Sequence, residues 1–253
     1  MENQDWKLGL KAETIPVFET VSKMEIVKGL YLCGGTAQSL QMMHRKSEDL
    51  DFELLGTRKE RPKLDFAAIS NEISAVYPDC KKDFLSSNHL QIFVNGNVKL
   101  SFYRPENSVP ELGKGFVYNN IVTPSLQELL GMKLFKITVR SAFRDYYDIY
   151  SLLQEGYDLA KGVAYAGKFS RHTIHSKYIY SILLNENYFS KPEGFSLLEP
   201  KYDVSTKDIA DFIKQYIENQ LQDDMAADQL TIKEFTDPFT GEKRKQAKIT
   251  APE

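Results

Sequence analysis

The stretch Asp49-Leu50-Asp51-Phe52-Glu53-Leu54-Leu55 alternates acidic and apolar residues with a period of two. An extended strand puts Leu50, Phe52 and Leu54 on one face and Asp49, Asp51 and Glu53 on the other. The chain must bury one side of a sheet while it holds carboxylates on the opposite side. Upstream, Leu30-Tyr31-Leu32-Cys33 reads as a short buried strand. Gly34-Gly35 breaks it, and Thr36 to Met43 reads as a helix that starts at once. Two glycines between strand and helix let phosphate oxygens approach the backbone, where unpaired N–H groups and the positive end of the helix dipole are available. Carboxylates two residues apart on a strand can hold a hard divalent cation, Mg²⁺ above all, which then bridges nucleotide phosphates. Singly, Gly-Gly is more often a turn and Asp-x-Asp a solvated face. In this order and at this separation they form the minimum apparatus for metal-assisted phosphoryl or nucleotidyl transfer.

The remaining pattern divides the chain. Residues 9–28 are expected as a helix with Pro16 in or near its first turn, and 64–77 as another. Strands are expected at 89–94 and 97–103, with Asn95-Gly96 as the two-residue turn between them, and one more strand within 116–122. From Ser125 the period becomes helical, with helices near 125–139, 143–155, 157–168, 171–184 and 205–222. The expected fold class is α+β: an N-terminal α/β unit over 1–124, a helical unit over 125–225 and a polar tail over 226–253.

Several function classes are excluded by what the sequence lacks. No apolar run approaches the roughly 18–20 residues of a membrane span. The first residues are polar and charged, unlike a secretory leader. Cys33 and Cys80 stand alone in apolar stretches, so a reducing, cytoplasmic setting is expected. There is no Gly-x-Gly-x-x-Gly, no phosphate-loop Gly-Lys-Ser/Thr, no Gly-x-Ser-x-Gly and no clustered Cys/His metal site. His172 and His175 are three apart on an expected helix and could share a face but lack further ligands, so surface or phosphate contact suits them better than a metal. The loop Arg-Lys-Glu-Arg-Pro-Lys at 58–63 is solvated or meets RNA phosphates.

Charge is uneven despite the net value of -3. Residues 129–178 carry 8 basic and 4 acidic side chains, whereas 179–225 carry 4 and 9. Within the basic middle, Lys133, Arg140, Arg144 and Asp148 are spaced 7, 4 and 4, one stripe on a continuous helix. Such a stripe could bind a triphosphate; its bland alternative is a solvated i,i+4 pair between Arg144 and Asp148. Asp145 lies off the stripe unless the chain breaks near Ser141.

Three segments, Gly-Gly-Thr-Ala at 34–37, His44 to Phe52, and Lys133 to Leu153, resemble the nucleotidyltransferase toxins of the AbiEii/AbiGii type. The resemblance covers roughly residues 28–155. It implies a polymerase-beta-like nucleotidyltransferase fold followed by an α-helical C-terminal domain. It also implies an enzyme of a toxin–antitoxin or phage-defence system, with a cognate antitoxin, using NTP and Mg²⁺ and acting on RNA (tRNA) or protein. Carried onto these residues, Gly34, Gly35 and Thr36 would hold the phosphates, and Asp49 and Asp51 would hold the metal. Lys133 would contact phosphate, and Asp145 or Asp148 would orient Lys133 or the nucleotide. His44, Arg45 and Ser47 would shape the turn into the Asp-bearing strand. One departure is visible: the family's third carboxylate falls at Ser101, so two carboxylates suffice, Glu53 contributes, or nucleotide binding is weak. A small-molecule acceptor and a nucleotide-binding module without catalysis are the alternatives.

Overall fold

The computed structural model describes residues 6–55, 64–105, 112–170 and 172–230, with side chains through residue 220, and the backbone of two strands at 233–236 and 243–246. β1 (Tyr31–Cys33) and β2 (Leu50–Glu53) pair antiparallel, with Cys33 opposite Asp51. They lie near the middle of a seven-stranded mixed sheet. The chain then adds β3 (Lys81–Ser86), β4 (His89–Val94) and β5 (Val98–Tyr103) as an antiparallel meander. β5 returns parallel to β2, which sets Asp51 beside Ser101. On the far side of β1, β6 (Val117–Tyr118) and β7 (Ile121–Val122) form a short hairpin. The strand order is β3-β4-β5-β2-β1-β7-β6.

Hydrophobic alternation selects the buried face. Leu32, Leu50, Phe52, Leu90, Ile92, Leu100 and Phe102 pack under α1 (Thr14–Val21) and α3 (Phe66–Val76), which contribute Phe18, Val21, Ile69 and Ile73. The opposite face carries Asp51, Glu53 and Ser101 and meets α2 (Gly34–Met42) and α4 (Leu126–Ile137). A second apolar core joins α4 to α5 (Phe143–Gln154), α7 (Ser176–Leu183) and α8 (Thr206–Leu230). α6 (Leu159–Phe169) packs along α4. Beyond α8, β8 (Lys233–Thr236) pairs antiparallel with β9 (Lys243–Gln246).

The differences from the sequence expectations have local causes. The helix expected over 9–28 is only α1, flanked by 3₁₀ turns at Trp6–Gly9 and Glu25–Val27. Pro16, lacking an N–H, tolerates only the first turn, so the helix starts at Thr14. The single strand expected within 116–122 is instead a hairpin that turns at Asn119, whose φ is +50°. Asn95 and Gly96 both take positive φ, +48° and +85°, as a two-residue turn with the twist of its strands requires. β3 was not anticipated, because its six side chains are all exposed and leave no alternation to read. The helix expected at 205–222 runs on to Leu230. The loop at 58–63 lies outside the described residues.

Tyr146 shows how the helical core is specified. Its ring stacks on Phe189 at 4.1 Å, and its hydroxyl donates 2.6 Å to the Leu183 carbonyl at the end of α7. Tyr146→Phe keeps the ring and strands that carbonyl. Urea denaturation is expected to show a loss of about 1–2 kcal/mol.

Candidate functional site

The site begins where β1 ends. Gly34 sits at φ +73°, a conformation that side chains disfavour. A Cβ there would stand 2.9 Å from Asp51 Oδ2, and one on Gly35 would strike the Arg45 guanidinium. The Gly-Gly turn is therefore pressed against a carboxylate below and a guanidinium beside it, and it exposes backbone rather than side chains. Thr36 is buried, with its hydroxyl donating to the Asp49 carbonyl and sharing a 2.7 Å hydrogen bond with the Ser47 hydroxyl. That hydroxyl ties α2 to the approach of β2, which leaves its backbone N–H as its route to a phosphate.

α4 and α5 supply the opposite wall. The chain breaks between Ile137 and Phe143, so the continuous-helix stripe of Lys133, Arg140, Arg144 and Asp148 does not form. The break instead brings Asp145 and Asp148 together on Lys133. Its ammonium donates to Asp145 Oδ1 at 2.8 Å and to Asp148 Oδ2 at 2.5 Å. Arg140 donates to the other Asp145 oxygen at 2.7 Å. Arg144 lies toward Glu48 at 3.6 Å, so the solvated pair with Asp148 is absent.

Asp148 is fully buried and held from two sides. Arg45 grips it with Nε to Oδ1 at 2.7 Å and Nη2 to Oδ2 at 2.9 Å. His44 Nε2 lies 2.8 Å from Oδ1. Burial opposes ionisation of this carboxyl, yet Arg45, Lys133 and His44 hold it well below the usual carboxylate range. Burial likewise works against Asp145, and Lys133 with Arg140 outweighs it, bringing that group down to about 2. His44 goes the other way. Burial lowers it to about 4 although Asp148 favours the charged ring, since Arg45 and Lys133 already balance that carboxylate. At neutral pH His44 is a neutral ring that donates its Nε2–H to Asp148, and the close contact is a hydrogen bond rather than an ion pair. His44 and Arg45 thus do more than shape a turn: they clamp α5 to the segment that leads into β2.

The resulting cleft is lined by the Gly34-Gly35 turn, Asp49, Asp51 and Asp145. Six cations share it: Arg45, Lys99, Lys133, Lys136, Arg140 and Arg144. Lys99 and Lys136 had not been singled out from sequence; Lys136 lay in a quoted segment, one helical turn from Lys133, which was a usable signal. Glu53, by contrast, is buried behind the cleft, 3.9 Å from Lys136 and outside the lining. Burial raises its carboxyl, against the pull of Lys136. Asp49 and Asp51 are hard oxygen donors, and among the described residues no group of three His, Cys, Asp or Glu could hold a metal unaided. Such a pair fits a hard divalent cation whose shell is completed by phosphate oxygens.

A family model described as "Nucleotidyl transferase AbiEii toxin, Type IV TA system" matches residues 21–250. The chain is similar to the uncharacterized protein aq_aa25 of Aquifex aeolicus, 28% identical over 213 residues, 83% of this chain and 98% of that protein. Among solved structures it is similar to JHP933 from Helicobacter pylori, with a TM-score of 0.47, 15% identity, and 86% and 99% of the two chains covered. It is also similar to MenT4, nucleotidyltransferase toxin Rv2826c from Mycobacterium tuberculosis H37Rv, with a TM-score of 0.40, 14% identity, and 76% and 68% covered.

The clamp makes two predictions. Asp148→Ala leaves Arg45 and Lys133 buried without their carboxylate, so unfolding in urea should show a loss of about 3–5 kcal/mol. His44 takes up a proton below 6.5 in the unfolded chain but only near 4 in the folded one. Stability is therefore fully present above that upper value and declines as pH falls toward the lower one, by about 2 kcal/mol at about pH 5. His44→Gln, which keeps a donor and cannot titrate, should flatten that decline in paired urea curves.

Proposed function

The chain belongs to the AbiEii nucleotidyltransferase toxin family of type IV toxin–antitoxin systems, and from that premise we propose that it transfers a nucleotide from an NTP to an acceptor hydroxyl on RNA, with Mg²⁺. One observation carries the reading: a Gly-Gly turn at a helix N-terminus is pressed onto Asp51 and faces Lys133 across a cation-lined cleft. The backbone N–H groups of Gly34, Gly35 and Thr36 bind phosphate oxygens. Lys133, fixed by Asp145 and Asp148, presents a charge whose position needs no rearrangement as negative charge develops on the departing phosphates. Arg140 and Arg144, both half-exposed, close on the triphosphate from the rim. Asp49 and Asp51 would hold Mg²⁺, which when bound polarises the phosphoryl group and offsets its charge. The acceptor hydroxyl displaces pyrophosphate in line.

Six cations against three carboxylates support a polyanionic acceptor such as tRNA over a cationic small molecule. Ser101 beside Asp51 favours the rival reading, a module that binds nucleotide without turnover. A cognate antitoxin and a cytoplasmic setting complete the proposal. Among the described residues no helix is long and apolar enough to cross a membrane.

The test incubates the protein with Mg²⁺, each α-labelled NTP in turn and total cellular RNA. Label is expected in an RNA band with wild type and absent with Asp49→Ala or Asp51→Ala, whose melting temperatures stay close to wild type. Incorporation by both variants would sink the assignment of these carboxylates. No label with any NTP, despite measurable nucleotide binding, would leave the non-catalytic module.

A further inference from the structure

β5 carries more of the cleft than its missing carboxylate suggests. It lies parallel to β2 with Leu100 beside Leu50 and Ser101 beside Asp51. Residues two apart on a strand share a face, so Lys99 and Ser101 both look toward the Asp49–Asp51 side. Ser101 brings no charge, and its hydroxyl is bonded to His89 Nε2 at 2.9 Å. Lys99 brings a positive one: its ammonium is 2.8 Å from Asp49 Oδ2, and each side chain of the pair is only about a quarter exposed. Among the described residues, no such ion pair is made by Asp51, which faces the Gly34 backbone instead. Asp145, the third carboxylate in the lining, is bound to Lys133 and Arg140.

Two divalent cations held together need several carboxylates to offset their mutual repulsion. Of the three in this cleft, Asp145 is taken up by Lys133 and Arg140, and Asp49 already has a cation on one oxygen. We propose, building on the nucleotidyl-transfer reading above, that Lys99 occupies one oxygen of Asp49 in the place of a second divalent cation, so that the other Asp49 oxygen and Asp51 serve a single divalent cation bound together with the NTP. An uncharged serine beside Asp51 and a lysine on Asp49 act in the same direction, both disfavouring a second cation. Lys99 supplies a fixed charge that does not depend on metal concentration, and it acts by holding Asp49 rather than by contact with the reacting phosphate.

Mn²⁺ serves as probe, counted by the loss of its free electron paramagnetic resonance signal on the full chain with a non-hydrolysable NTP. One Mn²⁺ per chain is expected for wild type. Lys99→Met frees Asp49 and is expected to admit a second Mn²⁺. Lys99→Arg retains the charge and is expected to keep the count at one, which separates loss of charge from loss of packing. Two Mn²⁺ in wild type, or one in Lys99→Met that still binds NTP, would overturn the proposal while leaving nucleotidyl transfer standing. Wild type that binds neither NTP nor Mn²⁺ would overturn both.

Discussion

The arrangement of the whole cleft depends on the carboxylate of Asp148. A buried charge is tolerated only when it is paired and hydrogen-bonded, and this one takes bonds from Arg45, His44 and Lys133. Those partners come from the segment after α2 and from α4, while the carboxylate comes from α5. Four hydrogen bonds to one buried carboxylate thus tie the three elements together, and the clamp links the sheet to the helices. Gln38 adds to it by donating from α2 to the Asp148 carbonyl at 2.9 Å. The Tyr147 hydroxyl donates to the His44 carbonyl and accepts from the Tyr202 N–H, which extends the same junction toward α8.

The clamp also divides the labour of the charged residues. Lys133 reaches both Asp145 and Asp148, so its ammonium is held at the inner end of the cleft with little freedom to swing. Arg140 is bound at its Nε to Asp145 but is half-exposed, and it keeps donors free to meet an anion at the rim. Rigidity therefore decreases outward, from sealed Asp148 through Lys133 to the rim arginines. For the nucleotidyl transfer proposed above, that gradient offers a flexible triphosphate an adaptable entrance and a fixed interior.

The sheet side of this design was largely legible before the structure. Alternation at 49–55, Asn95-Gly96 and the Gly34-Gly35 break each encode a local geometry, and each appears where local rules put it. The exposed β3 was not legible, because an edge strand with both faces in water carries no burial pattern. The helix break after Ile137 was anticipated in the helix limits, yet its consequence was not. Whether Asp145 or Asp148 meets Lys133 depends on the angle between α4 and α5, and both do. The roles of His44 and Arg45 were hidden for the same reason, since their partner lies more than a hundred residues away. Lys99 sits in a strand that otherwise reads as plain alternation, and only the register with β2 brings it to Asp49.

An excess of cations in a half-enclosed cleft is a strained arrangement in the absence of an anion. Here the strain is limited by distributing the carboxylates: Asp145 to Lys133 and Arg140, Asp49 to Lys99, Glu53 to Lys136 and Glu48 to Arg144. Each carboxylate offsets the charge of the cations bound to it, and the outer pairings are weak because they are partly solvated. On the proposed function, a polyanion entering the cleft exchanges the weak outer contact of Arg144 for charge-assisted bonds from preplaced donors. The free energy of binding is then concentrated on phosphates and leaves the base to be chosen elsewhere on the surface. On the function proposed above, a cleft built in this way recognises the triphosphate as a class, and selectivity among nucleotides comes from residues outside its cationic lining.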